Sequence, residues 1–202
     1  MATGLRERWR AKARQTIQER ALDLFDERGF GAVTIEEIAA AAEVSPSSVY
    51  RYFGTKEGLI VADEFDTMSE ETLRELFDPT DPVGAMIQIV RDYEAVPGRS
   101  GEPVPWRRIR YFFSEPSVRT AFCASLDRAS QRIAPLMTTG RLTGTQARVA
   151  ANALVFGYFS ALEQWYLDGA VRPVAQYVEE GLDVLRPIWS AADGGEAELA
   201  AE

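Results

Sequence analysis

Thr34-Ile35-Glu36-Glu37-Ile38-Ala39-Ala40-Ala41-Ala42-Glu43-Val44-Ser45-Pro46-Ser47-Ser48-Val49-Tyr50-Arg51-Tyr52-Phe53 is the stretch on which the reading of this chain turns. It opens with a capping-box pattern, in which the Thr34 hydroxyl and the Glu37 carboxylate satisfy opposite orphan amides at a helix entrance. A short helix through Ile38 and Ala41 follows. Ser45-Pro46 then opens a second short helix, Pro46 to Phe53, because serine caps well and proline at the first helical position has no amide to leave unpaired. Gly54-Thr55-Lys56 stops that helix and caps a longer one carrying Leu59, Ile60, Phe65, Leu73 and Leu76. On the N-terminal side, the stripe Ile17, Ala21, Leu24 and Phe25 marks a helix from about Arg8 to Arg28, ended by Gly29. Two short helices joined by a tight turn and steadied by a preceding helix form a helix-turn-helix arrangement, whose second helix can enter a DNA major groove. The turn carries Ala42-Glu43 where glycine is usual, and the spacing alone also suits a plain three-helix packing module.

Residue types favour the DNA reading. Ser45, Ser47 and Ser48 crowd the N-terminus of the second helix, where backbone amides and the helix dipole attract phosphate. Tyr50, Arg51 and Tyr52 follow, with Lys56 at the next helix start, adding donors that reach phosphates or base edges. The bland alternative gives Ser45 to capping, one tyrosine to packing and Arg51 to a solvated surface.

The stretches Gly29-Phe30 with Thr34 to Ala39, Val44 to Phe53, and Lys56-Glu57-Gly58-Leu59 resemble the tetracycline-repressor (TetR) family of bacterial transcriptional regulators over roughly residues 10–62. The resemblance implies an all-helical fold, an N-terminal DNA-binding domain, and a larger C-terminal domain that dimerises and takes a small ligand whose binding releases the protein from DNA. It implies that Thr34 caps the first motif helix and touches the DNA backbone, and that Ser45, Pro46, Ser47 and Ser48 fall where members meet phosphates or bases. Tyr50 and Tyr52 match the family's aromatic pair, and Lys56 its phosphate-binding lysine. Pro46 and Ser47 stand where many members have lysine and glycine, and Glu36 where some have a basic residue, so base preference does not carry over.

Composition narrows the alternatives. The 202 residues are 46% hydrophobic and 26% charged, a globular balance. With no histidine and one cysteine, Cys123, most metal sites and imidazole chemistry are out of reach. No nucleophile–base pairing or phosphate loop suggests an enzyme, and no cofactor or metal is expected. The N-terminus has no apolar signal core and Ala153 to Leu162 is too short to span a bilayer, so a cytoplasmic protein is expected. The net charge of −9 is unevenly placed: residues 1–60 hold nine Lys/Arg and nine Asp/Glu, and the remainder thirteen against twenty-two. Arg6, Arg8, Arg10, Lys12 and Arg14 face only Glu7, forming a basic N-terminal arm on the DNA-binding domain at 1–60.

Residues 61–191 form the expected ligand-binding and dimerisation domain, with a disordered tail at 192–202. Asp81-Pro82 opens a helix with Met86, Ile89, Val90 and Tyr93, closed by a loop from Pro97 to Pro105. Trp106 to Phe113 is a short aromatic-basic segment, and Ser114-Glu115-Pro116 starts a helix with Val118, Phe122, Leu126 and Ile133. Thr143-Gly144-Thr145-Gln146 caps a long helix reaching Gly169, and Pro173 starts a last one to residue 191. That long helix is apolar on several faces and requires burial inside its domain or against a second subunit. Ala147, Ala151, Leu154, Tyr158, Leu162 and Trp165, with Leu182, Leu185 and Trp189, are assigned to a dimer seam, following the four-helix interface that the resemblance implies.

For the ligand, an apolar or amphipathic molecule is expected, held by Tyr93, Trp106, Phe112, Phe113, Phe122, Phe156 and Phe159 with Asn152 and Glu163 as polar contacts. The alternative is that these rings fill the core. Arg107, Arg108 and Arg110 suit an anionic group or, more simply, a solvated face with packed stems. Cys123 reads as a small buried hydrophobe. The resulting expectation is a homodimeric repressor of a palindromic double-stranded operator, with a helical small-molecule carrier lacking operator binding as the alternative.

Overall fold

The computed structural model describes residues 2–62, 65, 68–95, 104–138 and 142–187, with the side chains of residues 2–7 and 104–106 outside that description. Ten α-helices run through them in order: α1 Ala2–Arg28, α2 Ile35–Ala41, α3 Pro46–Phe53, α4 Gly58–Val61, α5 Glu70–Leu76, α6 Pro82–Ala95, α7 Val104–Ser114, α8 Pro116–Met137, α9 Gly144–Leu167 and α10 Val174–Asp183. A 3-10 turn at Phe30–Ala32 joins α1 to α2. The fold is all-α, as the punctuation predicts. The last-helix positions Ile188 and Trp189 and the tail lie outside the described residues, as does most of the expected Pro97 loop. Pro105 lies inside the first turn of α7, where its missing amide costs nothing.

The helices divide into two compact units. The first holds Met1–Ala62 together with Arg110–Phe122, and the second Asp63–Ile109 with Cys123–Glu202. Residues 110–122 therefore cluster with the N-terminal unit, and not with the C-terminal domain to which their place in the sequence points.

In the first unit α1 packs on α2 and α4, and α2 on α3, with Ile17, Ala21, Leu22 and Phe25 of α1 buried along with Ile38, Val49 and Leu59. Each large side chain so buried contributes about 1.5–3 kcal/mol. Gln18, on the same stretch of α1, donates its amide to the carbonyls of Leu59 (3.2 Å) and Ala62 (3.0 Å), closing the C-terminal end of α4. The aromatic rings of Phe25, Phe30 and Tyr111 pack together, with Phe25–Phe30 centroids 5.0 Å apart. Tyr111 and Arg110 both donate to the carboxylate of Asp26. Burial and that carboxylate push the Tyr111 phenol well above its usual pKa.

One long helix after Lys56 was expected, and the structure has two. α4 ends at Ala62, whose ψ of 125° is extended, and α5 begins afresh at Ser69, whose hydroxyl accepts from the Thr72 amide. The reason is local: Ser69 with Glu70 and Glu71 is a better helix entrance than a continuation. Of the apolar residues carried there, Leu73 is buried and Leu76 exposed.

In the second unit α10 packs on α9 and α6. A Cβ on Gly157 would stand 2.9 Å from Leu182 Cδ2, and one on Gly181 would stand 3.3 Å from Ala161 Cβ, so each helix of the α9–α10 pair approaches the other through a glycine. Pro173 cannot cap α10 with its side chain, and Glu94 of α6 does so from a distance by accepting from the Val174 amide at 2.7 Å. The α9 capping box at Thr143 and Gln146 forms as read. α10 ends at Asp183, with the chain turning at Val184 and Leu185, short of the single helix expected to residue 191.

Candidate nucleic-acid interface

The motif is built by caps. Thr34 donates its amide to Glu37 Oε2 at 2.8 Å, and its hydroxyl both accepts from the Glu37 amide at 3.2 Å and donates to the same carboxylate at 2.9 Å. Arg28 adds an ion pair to Glu37 at 2.8 Å. The Thr34 amide foremost, then Arg28 and the Thr34 hydroxyl, hold the Glu37 carboxyl at about 2. The Thr34 proton is thus committed within the cap, and what Thr34 offers outward is its exposed position.

α2 ends in a Schellman turn. The Val44 amide reaches the Ala39 carbonyl at 2.9 Å and the Glu43 amide reaches Ala40 at 3.2 Å, which places Glu43 at φ 56° in the left-handed region. This is how the motif turns without glycine. Two residues later Ser45 caps α3, accepting from the Ser48 amide at 3.2 Å.

Three hydroxyls meet at the α3 entrance. Ser45 Oγ lies 2.8 Å from Ser47 Oγ and 3.0 Å from Ser48 Oγ, and Arg51 donates to Ser48 at 3.3 Å. Pro46 occupies the first turn. Along α3, Val49 and Phe53 face the core while Tyr50 is 50% exposed. Tyr52 is half-buried, its ring edge-on to Phe53 and covered by the Arg51 guanidinium at 5.1 Å. α3 therefore presents Ser45, Ser47, Tyr50 and Arg51 outward from a face anchored by two apolar residues. Clustered hydroxyls, a guanidinium and a phenol at a helix N-terminus are donors suited to phosphates and base edges.

Lys56 is placed differently from the rest. Its Nζ sits over the ring of Phe30 at 4.5 Å and that of Phe25 at 5.7 Å, and burial lowers its pKa. The phosphate-binding role implied for it competes with this aromatic seat. Sequence reasoning missed Gln18, Asp26 and Tyr111, which brace this unit. A polar Gln18 beside buried Ile17 was the one available signal, and Asp26 and Tyr111 are too far apart in sequence to be paired by reading.

The ligand candidates are divided between the two units. Phe112, Phe113 and Phe122 belong to the first unit, and Tyr93, Asn152, Phe156, Phe159 and Glu163 to the second. Phe112 and Phe122 stack at 3.9 Å, and Arg119 covers Phe113 at 5.6 Å. Asn152 donates its amide to Arg148 of its own helix at 2.9 Å. The Trp106 side chain lies outside the described residues. Arg107 and Arg108 are buried, so the solvated-face reading fails for both, while Arg110 pairs with Asp26. Cys123 is half-buried, less enclosed than expected.

The dimer stripe also changes. Ala147, Ala151, Leu154, Leu162 and Leu182 are each 0% exposed within a single chain, so they have no surface left for a second subunit. They form the internal seam of α9, α10 and their neighbours. Tyr158 and Leu185 are half-buried, and Trp165 donates its indole N–H to the Arg172 carbonyl at 3.0 Å. The face of α9 left outward runs through Val149, Ala153, Phe156, Ser160 and Leu167, with Val149 64% and Leu167 68% exposed.

Fold and site define a helix-turn-helix DNA-binding domain joined to a larger helical domain. Residues 17–62 match the family described as bacterial regulatory proteins, tetR family. The HTH-type transcriptional regulator HbdR of Aromatoleum sp. (strain CIB) is 35% identical over 86 residues, 41% of this chain and 38% of HbdR. The HTH-type transcriptional repressor Rv3405c of Mycobacterium tuberculosis (strain ATCC 25618 / H37Rv) is 43% identical over 53 residues, 26% of this chain and 28% of that protein. These matches span well under half of either relative. Among solved structures, the TetR-family repressor FadR of Thermus thermophilus in complex with lauroyl-CoA superposes with a TM-score of 0.56 at 21% identity, covering 85% of this chain and 92% of FadR. NalD of Pseudomonas aeruginosa, the secondary repressor of a multidrug efflux pump, gives 0.54 at 20% identity over 86% and 94%. At that identity the likeness concerns the fold.

Proposed function

We propose that this protein is a cytoplasmic transcriptional repressor that binds a palindromic operator as a homodimer and is released by an apolar or amphipathic small molecule. The observation that carries the reading is the outward set on α3: three hydroxyls at its N-terminus with Arg51 and Tyr50 beyond them, on a helix whose opposite face is locked into the core. Thr34, Ser45, Pro46, Ser47, Ser48, Tyr50, Arg51 and Tyr52 contact the DNA, the hydroxyls at phosphates or base edges and Tyr50 at the backbone.

A two-fold dimer carries two such helices, and half-sites one or more helical turns apart follow from that symmetry. The outward face of α9 supplies the dimer contact in place of the buried stripe. A ligand releases the operator only by favouring the conformation that misplaces the two α3 helices. The lauroyl-CoA of the FadR structure supports an amphipathic class.

A gel shift on DNA upstream of the protein's own coding region tests the reading. Tyr50→Ala is expected to lose about 1.5–3 kcal/mol of operator affinity, the worth of a hydrogen bond to a charged group, with its melting temperature unchanged, because the ring is half in solvent. Wild-type affinity in the combined variant Ser48→Ala, Tyr50→Ala, Arg51→Ala would reject the interface.

A further inference from the structure

The helix after Lys56 is interrupted without a helix breaker. No glycine or proline lies between Leu59 and Leu76, and the apolar spacing there reads as one helix, yet Ala62 is extended at ψ 125° and Ser69 at ψ 156°. The Ser69 entrance is part of the reason, and the rest comes from outside the segment. In a continuous helix each carbonyl accepts from the amide four residues on. Five of the backbone groups that those bonds would use are held by side chains instead. Gln18 of α1 donates to the Leu59 and Ala62 carbonyls. Arg132 of α8 donates one terminal nitrogen to the Phe65 carbonyl and the other to that of Met68, with its guanidinium 5.2 Å from the Phe65 ring centroid. The Thr72 amide, which a continuous helix would aim at Met68, donates to Ser69 Oγ at 3.1 Å.

The boundary between the two units falls at this interruption, between Ala62 and Asp63, with Gln18 in the unit before it and Arg132 in the unit after it. We propose that the link from Ala62 to Ser69 is a two-state joint, held broken by Arg132 and joining α4 to α5 as one helix when Arg132 leaves the Phe65 and Met68 carbonyls. A single side chain here works against a stretch whose own residues, Ala62, Glu64 and Met68 among them, favour helix. That opposition is what makes an element bistable and not merely bent. The planar fork of arginine spans two carbonyls at once, which a point-like ammonium does not. Arg132 is thus a positioning residue: a displacement of α8 in the second unit becomes a change in the backbone that leads out of α4. The joint goes beyond the operator reading and stands without it.

Hydrogen exchange read by mass spectrometry on the full chain tests this. In Arg132→Gln the peptide covering residues 62–72 is expected to exchange about tenfold more slowly than in the wild type, as its amides enter helical bonds, with exchange in α9 unchanged. Adding Ser69→Pro supplies the control. Proline suits the broken form, where Ser69 has φ −66°, and is barred from a helix interior, so it should cancel the slowing. Unchanged or faster exchange of that peptide in Arg132→Gln makes Arg132 an ordinary strut and overturns the joint. Slowing that survives Ser69→Pro overturns it as well, because the protection would then not come from helical continuity. The readout uses no DNA, so its result and that of the gel shift are independent.

Discussion

A Cβ built on Gly58 would stand 1.9 Å from the carbonyl oxygen of Phe53. The end of the recognition helix and the start of α4 therefore touch backbone to backbone, with the Gly58 amide donating to Thr55 Oγ1 at 3.0 Å across the intervening turn. Gly58 is needed for this close approach and not for an unusual φ. Gly58→Ala must displace α4 or α3, neither of which is a flexible side-chain tip. The expected cost is about 1–3 kcal/mol of stability, read by urea unfolding, together with weaker operator binding. An alanine variant as stable as the wild type would show that α4 shifts without strain.

Glu43 is the converse case. It occupies the left-handed region at φ 56° with an exposed side chain. Glycine adopts that region freely but also loses more chain entropy on folding. Glu43→Gly is therefore expected to stabilise the protein by a small net amount, about 0.5 kcal/mol, visible as a higher denaturation midpoint at unchanged m-value.

The Glu37 carboxyl sets a pH dependence. Its ordinary value of 4.5 falls to about 2 in the fold through the Thr34 amide and Arg28. A pKa below that of the unfolded chain gives stability that is complete above about 4.5 and is lost as pH falls through about 2. The melting-temperature difference between wild type and Glu37→Gln should hold constant at neutral pH and shrink steadily across that acid window. A difference independent of pH would mean that the carboxylate charge does not support the cap.

Leu154 and Val149 separate the internal seam from the outer face of α9. Leu154→Glu places a charge where exposure is 0% and is expected to destabilise the fold by more than about 4 kcal/mol. Val149→Glu alters a side chain 64% exposed. It should leave the melting temperature of the subunit nearly unchanged while shifting the sedimentation profile from dimer to monomer. A Val149→Glu protein that remains fully dimeric would place the contact elsewhere.

Residue order alone decides what is local. The caps at Thr34, Ser45 and Thr143 and the stop at Gly29 all form as read, because each joins groups within about four residues, where residue type and spacing decide the hydrogen bond. The outward set on α3 was legible for the same reason: helical periodicity separates Val49 and Phe53 from Tyr50 and Arg51. Packing settles what periodicity leaves degenerate. α9 is apolar on most sides, so its pattern does not say which face meets its own chain, and only the approach of Gly157 to Leu182 assigns the Leu154 stripe to the interior. The clasp of Tyr111 and Arg110 on Asp26, and with it the membership of residues 110–122 in the N-terminal unit, joins positions more than eighty residues apart. Such pairs are selected by the shape of the folded chain, and no local preference encodes them.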